Sequence, residues 1–471
     1  MKKHLIFFIL FAWMCSSVSA KVVLPEIFSD NMVLQQSTRV KIWGKAKPNA
    51  VVTLKSSWNA KSVTTKCDKD GSWSTFISTP KASYTPQTLK ISDGEAVTLS
   101  NILIGEVWLC SGQSNMDITL YGYWNCPIVN ADEVIANASQ YKGIRCVTIE
   151  QKGALTPQEN CHGSWKVSNP KNTLGFSATA FYFAMALNKT LDVPVGVIAC
   201  SWGGSKVEGW LPENILKTYP DVDLKNANNK DYIECLRPMI MYNGMLHPIE
   251  GYTIRGFVWY QGESNIGKNT KYDEKLTTMI QLWRKEWNLG ELPFYIVEIA
   301  PFNYGDNGDA SAYLREYQYK VATTVPNCGL VCTNDLVEPY EQCNIHPKNK
   351  LDIGKRLSYL ALSNVYKMEG IECTSPTYKS MEIKGDKAIL TINNVPAGYN
   401  RMQDMEGFEM AGADKVFHPA TGKIFENFKI EVSSPEVSAP VAVRYCFRNF
   451  KLGNVKSTRG LPLVPFRTDN W

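Results

Sequence analysis

Four short blocks of the chain carry side chains suited to chemistry, and each follows a stretch of apolar sequence. The first, residues 105–116 (GEVWLCSGQSNM), ends a strand pattern in a glycine turn and places Ser114 where a helix would begin. Ligands of open α/β sheets bind at the carboxyl ends of the strands, so a serine there presents its hydroxyl to a cleft. The helix start adds free backbone N–H groups that favour an anion. Taken alone, the same serine is equally an ordinary helix N-cap. The second block, residues 200–205 (CSWGGS), offers Gly203 and Gly204, whose backbone can approach a ligand closely and donate to an oxyanion. Most Gly-Gly pairs are only turns. The third, residues 259–265 (WYQGESN), sets Gln261, Glu263 and Asn265 at one strand end, able to hold developing negative charge or to orient neighbours. A polar loop capping a helix would look the same. The fourth, residues 344–350 (NIHPKNK), contains His346, one of five histidines, kept out of helical geometry by Pro347. Together the blocks supply a nucleophile, N–H donors, amides and a general base, the parts needed for acyl transfer.

The elements that must position them alternate in type. Strand patterns at 104–110, 194–200, 253–260, 293–299 and 329–333 are interleaved with helical ones at 178–188, 273–286 and 351–366, which predicts an open α/β sheet. Before it, residues 21–103 read as a small all-β domain, with short strands at 39–43, 51–54 and 72–76 set apart by Pro48-Asn49 and Asp70-Gly71. After about residue 369 the texture returns to β. One β domain built from both chain ends and two separate ones both fit. Residues 211–245 form an Asn- and Lys-rich insertion in the α/β region of 104–368.

A chain of 471 residues exceeds what a single core usually serves, so several domains are expected. With 44% hydrophobic and 20% charged residues it has the composition of a folded protein. Residues 1–20 have a basic start at Lys2 and Lys3, a short apolar run and small residues before Lys21. That is the pattern of a cleaved leader, so periplasmic or extracellular export is expected. Loss of the two lysines lowers the formal charge from +5 to +3, which argues against nucleic acid or an acidic membrane as partner. The 13 cysteines contain no CxxC pair, no disulfide is assigned, and no metal or organic cofactor has a site.

In this order the four blocks resemble the SGNH hydrolase superfamily, and more narrowly the sialate O-acetylesterase family. Residues 24–35 (LPEIFSDNMVLQ), 460–471 (GLPLVPFRTDNW) and the stretch from Gly407 to Gly412 extend the resemblance over nearly the whole chain past the leader. It implies a three-layer open parallel sheet with accessory all-β regions, and hydrolysis of O-acetyl esters of a sugar without a cofactor. It also implies Ser114 as nucleophile and His346 as base. The oxyanion hole would be the N–H groups of Ser114 and Gly204 with a side chain of the 261–265 block. Gln261 is favoured there, with Glu263 orienting it or the serine loop, and Asn265 as a further binding residue. The sequence departs from the superfamily in one place: Cys343 stands where an aspartate usually precedes the histidine by three, and Asn344 is not acidic either. Asp335, Glu263 and a backbone carbonyl near Cys343 are the substitutes, and a Ser–His dyad with weak acid support is expected. Activity should then fall as His346 protonates, with an acid limb near neutral pH. A sialic-acid carboxylate would call for a cation such as Arg255 or Lys206, and Tyr121, Tyr123, Trp124, Trp202 and Trp210 suit sugar stacking. Acetylated xylan as substrate, or a weakly active carbohydrate-binding relative, are the alternatives.

Overall fold

The computed structural model describes residues 21–306 and 308–471, and the expected leader lies outside the described residues. Its centre is a parallel sheet of six strands, numbered here in chain order: β1 (Ala96–Gly112), β2 (Ile144–Thr148), β3 (Val195–Ser201), β4 (Gly256–Tyr260), β5 (Phe294–Val297) and β6 (Cys328–Val331). Their spatial order is β6-β5-β4-β1-β3-β2. Every residue of β3 and β4 is buried, the mark of strands covered on both faces.

Alternation along β1 sorts its side chains between two cores. Trp108 and Cys110 pack beneath helices α2 (Ala178–Leu191) and α5 (Lys350–Asn364). Val107 and Leu109 pack on the opposite face, in the core that holds Trp283 of α3 (Tyr272–Trp287). Gly354 lets α2 and α5 touch, since a Cβ there would lie 2.5 Å from Tyr182 Cβ. From β1 the chain builds β2 and β3 on one side and then crosses to β4, β5 and β6 on the other, so the carboxyl end of β1 is a topological switch point, where such sheets open a crevice.

The α/β class with accessory β regions is thus the observed architecture. The boundary expected between residues 103 and 104 falls inside one continuous strand of 17 residues. The first half of β1 pairs antiparallel with Ser83–Ser92, and its second half enters the parallel sheet. Asn101, at a φ of 53°, marks the bend. Val33–Gln35 pairs alongside β1, and Arg39–Lys45 pairs with Ser72–Ser78. The C-terminal strands form their own seven-stranded sheet around Leu390, Phe408, Val432 and Tyr445, which none of the N-terminal strands joins. Ion pairs from Arg444 to Asp309 and Arg467 to Glu316 tie it to helix α4 (Ala310–Thr324) and the residue before it. Residues 211–245 carry short helical turns and bring Cys235 against Gly204. All cysteines among the described residues are free, and no helix among them is long and apolar enough to cross a membrane.

Candidate active site

The serine loop is built by close contact of two strand ends. Gly112 has a φ of 140°, and a Cβ there would lie 2.1 Å from Tyr260 O, so only glycine lets β1 meet β4 so tightly. Gln113 N donates to the same carbonyl at 2.9 Å, and a one-turn helix α1 (Ser114–Asp117) begins at the next residue. The Gln113 side chain does not cap that helix. Its Oε1 accepts from Gly262 N at 3.1 Å and Gln261 Nε2 at 3.2 Å, which staples the serine loop to the loop after β4.

After β3, Gly203 lies against Ser114, since a Cβ on it would be 3.6 Å from Ser114 Cβ, and Gly204 follows on the same loop. Gly204 is left-handed at a φ of 75°, and a side chain there would meet Cys235 Sγ at 2.9 Å. Among the described residues, the N–H groups of Ser114, Gly203 and Gly204 donate to no protein acceptor. The oxyanion donors that the site can offer are therefore backbone groups of two adjoining loops.

The third block has a different job from the one expected of Gln261. That residue is fully buried, and its amide N–H groups face Ser205 O at 3.0 Å, Asn265 Oδ1 at 2.8 Å and Gln113 Oε1 at 3.2 Å. No N–H remains for an oxyanion, because the neighbouring loops already supply the acceptors. Asn265 is likewise held, accepting from Val207 N at 3.0 Å and donating to Glu208 at 2.8 Å. Glu263 reaches the serine loop through Asn115, whose Nδ2 donates to Glu263 Oε1 at 2.6 Å and to Ile345 O at 3.0 Å. Burial pushes the Glu263 carboxyl up.

His346 is half-buried. Its Nδ1 lies 3.7 Å from Cys126 Sγ, and that thiol donates to Asn344 Oδ1 at 3.3 Å. Asn344 also accepts from His346 N at 3.0 Å, so amide and thiol together fix the backbone and the ring. The other nitrogen, Nε2, is covered and makes no hydrogen bond, and catalytic bonds of this kind commonly close only around substrate. Burial, aided by the charge of Lys350, lowers the imidazole to about 4. Asp335, expected as a substitute acid, is elsewhere. Its carboxylate takes a bidentate pair from Arg356, at 2.7 Å on each oxygen, and a further one from Lys456. Burial would raise it, but these two cations hold it below the usual carboxylate range. It makes no contact with His346, its two oxygens being committed to Arg356 of α5 and to Lys456 of the C-terminal region.

Several neighbours, Tyr123 apart, had no role in the sequence reading. Lys350, completely buried at the start of α5, donates to Asn115 Oδ1 at 2.6 Å and to Pro347 O at 2.8 Å. Burial lowers it to about 7. A lysine in the first turn opposes the helix dipole, and that was the signal available for it. Asp117 accepts from Tyr123 OH at 2.8 Å and Ser201 Oγ at 3.2 Å, and burial raises it. Tyr123 and Cys126 close a tight turn by exchanging backbone bonds of 3.1 and 2.9 Å. The Tyr123 ring then stands edge-on to His346 at 5.5 Å, and Trp124 at the tip is 90% exposed. Of the other aromatics, Tyr121 is exposed, Trp202 half-buried and Trp210 wholly in the core. Arg255 is bound to Glu106 at 2.7 Å near the amino ends of the strands, far from this crevice in the sheet, whereas Lys206 stays on the glycine loop.

A three-layer parallel sheet with these loops at its switch point is the fold of an ester hydrolase of the SGNH class. Residues 104–363 match the model of the family described as carbohydrate esterase, sialic acid-specific acetylesterase, and the chain belongs to that family. A carbohydrate acetylesterase from Xanthomonas citri superposes with a TM-score of 0.84 and 31% identity, covering 96% of this chain and 100% of that one. The sialate O-acetylesterase of Homo sapiens is 26% identical over 440 residues, 85% of this chain and 82% of its own length. That of Mus musculus is 25% identical over 450 residues, with 82% and 81% covered. The chain is a carbohydrate esterase.

Proposed function

We propose that Ser114 and His346 hydrolyse O-acetyl esters of sialic acids through an acetyl-enzyme. What carries the reading is the set of undonated backbone N–H groups on Gly203, Gly204 and Ser114 around one serine. His346 Nε2 takes the Ser114 proton as Oγ attacks the acetyl carbonyl, and the backbone donors hold the oxyanion. The sugar alcohol leaves with the proton from the imidazole. Water activated by the same nitrogen then releases acetate. Cys126 and Asn344 orient the ring but supply no carboxylate, so His346 works as half of a dyad. Glu263 and Lys350 are positioning residues, acting through Asn115.

Sialic acid as substrate rests on the family and on Lys206, the cation beside the glycine loop that could meet a sugar carboxylate. The exposed rings of Tyr121 and Trp124 suit a glycan in either case, and the sequence of residues 1–20 supports export. The test is hydrolysis of 4-nitrophenyl acetate by the wild type, Ser114→Ala and His346→Ala. Each variant should lose about 10⁴-fold or more in kcat while keeping its circular dichroism. Turnover that survives Ser114→Ala ends the mechanism. Acetate release from O-acetylated sialic acid against acetylated xylan tests the substrate, and faster release from xylan overturns that part alone.

A further inference from the structure

A cavity of about 440 Å³ lies at the seam between the N-terminal strands and the α/β region, a volume usual for a small-molecule site. None of Ser114, Gly204 and His346 lines it. Trp43 and Trp73 form its wall on the N-terminal side, with Lys41 beside them, and Glu250, Glu286 and His247 close the other side.

Three features of the wall point to a ligand. Trp73 is only 4% exposed, yet its indole N–H donates to nothing, which is costly unless an acceptor arrives. Glu250 and Glu286 each keep a covered oxygen without an ordinary donor, although the two side chains stand within hydrogen-bond reach of one another. Two carboxyl groups make such a contact only with a proton between them. Burial pushes both above the usual range, and the charge of Glu250 adds to the rise at Glu286, which keeps a proton on the pair. Tyr242 OH, at 2.6 Å from Glu286 Oε1, fixes the pair from behind. Lys41 makes no ion pair among the described residues and sits 5.4 Å from the Trp43 ring centre. Lys45, by contrast, is paired with Glu159 at 3.2 Å.

The charges of the lining residues nearly cancel, Lys45 against Glu159 and Lys41 against the single charge of the carboxyl pair, while Asp70, outside the lining, also pairs with Lys45 at 3.5 Å. A neutral occupant is favoured over either ion. Flat indole walls suit a face of C–H groups, while carboxyl oxygens, an ammonium and an indole N–H suit a rim of hydroxyls that both donate and accept. A pyranose has that form. The carboxyls touch, so they are too close for glycoside hydrolysis, which needs about 5 Å or more between them. We propose that this cavity is a second, non-catalytic saccharide site that takes one neutral pyranose ring of a glycan.

The test uses three methyl glycosides of one ring and different charge: methyl β-D-glucopyranoside, the matching glucuronide and the matching glucosaminide. None carries an ester, so the outcome is independent of the esterase mechanism. Titration of the full chain, read by calorimetry and saturation-transfer NMR, should give the neutral glycoside a Kd of about 1 mM, with both charged rings about tenfold weaker. Trp43→Ala and Lys41→Ala should each weaken the neutral ring about tenfold, and Lys41→Ala keeps the test decisive if Trp43→Ala does not fold. No binding at about 50 mM overturns the proposal. So does a charged ring that binds tighter than the neutral one, or binding that both variants leave intact.

Discussion

The buried state of His346 makes the pH profile the sharpest test of the dyad. An ordinary imidazole would set the acid limb near neutrality, which is what the sequence alone suggests. In the structure burial is the larger cause and Lys350 the second, and together they lower the ring from 6.5 to about 4. The base must be unprotonated to act, so kcat/KM for 4-nitrophenyl acetate should stay flat down to about pH 5 and fall with a midpoint near 4. Lys350, itself lowered to about 7, is charged throughout this range. Replacing it by methionine removes the smaller cause, so the limb should rise by less than half of the total drop, about 1 pH unit. The absolute rate of Lys350→Met will also fall, because Asn115 loses its donor, but the midpoint is read from the shape of the curve. A histidine lowered in the fold costs stability as pH falls from 6.5 to about 4, where the unfolded chain binds a proton that the folded one refuses. Near-UV circular dichroism at each pH separates that loss from titration of the base. A wild-type limb at 6.5 or above, or a limb that Lys350→Met moves downward, refutes the reasoning.

Asp335→Asn should leave kcat unchanged while costing about 3–5 kcal/mol in urea unfolding, since it strips a buried charge from Arg356. A rate loss as large as that of Ser114→Ala would instead make Asp335 the acid behind His346. Glu263→Gln should lower kcat about tenfold to a hundredfold with little change in KM, by loosening Asn115 and so the serine loop. Combined with Lys350→Met its stability cost should be smaller than the two singles added, because neither charge is then left alone in the core, and denaturant midpoints of the four proteins measure this. Gly204→Ala forces a side chain onto a left-handed residue 2.9 Å from Cys235 Sγ, which tilts the Gly204 N–H. Its kcat should fall about 10²-fold, and an unchanged kcat would remove Gly204 from the oxyanion hole.

What could be read from the sequence was local. The four blocks stood out because parallel strands are apolar throughout and end abruptly in polar loops, and β1, β3 and β4 deliver three of those loops to one crevice. Helix α4 went unread because Tyr, Thr and Val dilute its helical pattern, although Tyr313, Leu314 and Val321 hold its buried face. The boundary expected near residue 103 is not a break, since β1 bends at Asn101 without ending and one strand serves two sheets.

The site residues divide along the same line. The chemical type of each side chain is written in its own block, but its availability depends on what else reaches it. Gln261 has the right amide for an oxyanion and is disqualified only by Ser205 O, Asn265 and Gln113, two of them on other loops. Asp335, Glu263 and a backbone carbonyl near Cys343 are the sequence's candidates for the group behind His346, yet Cys126 arrives from 220 residues away on a turn that nothing in the sequence ties to the histidine. A thiol in that position holds the ring without adding charge. No carboxylate among the described residues contacts the His346 ring, and burial, with the charge of Lys350 second, sets its low pKa.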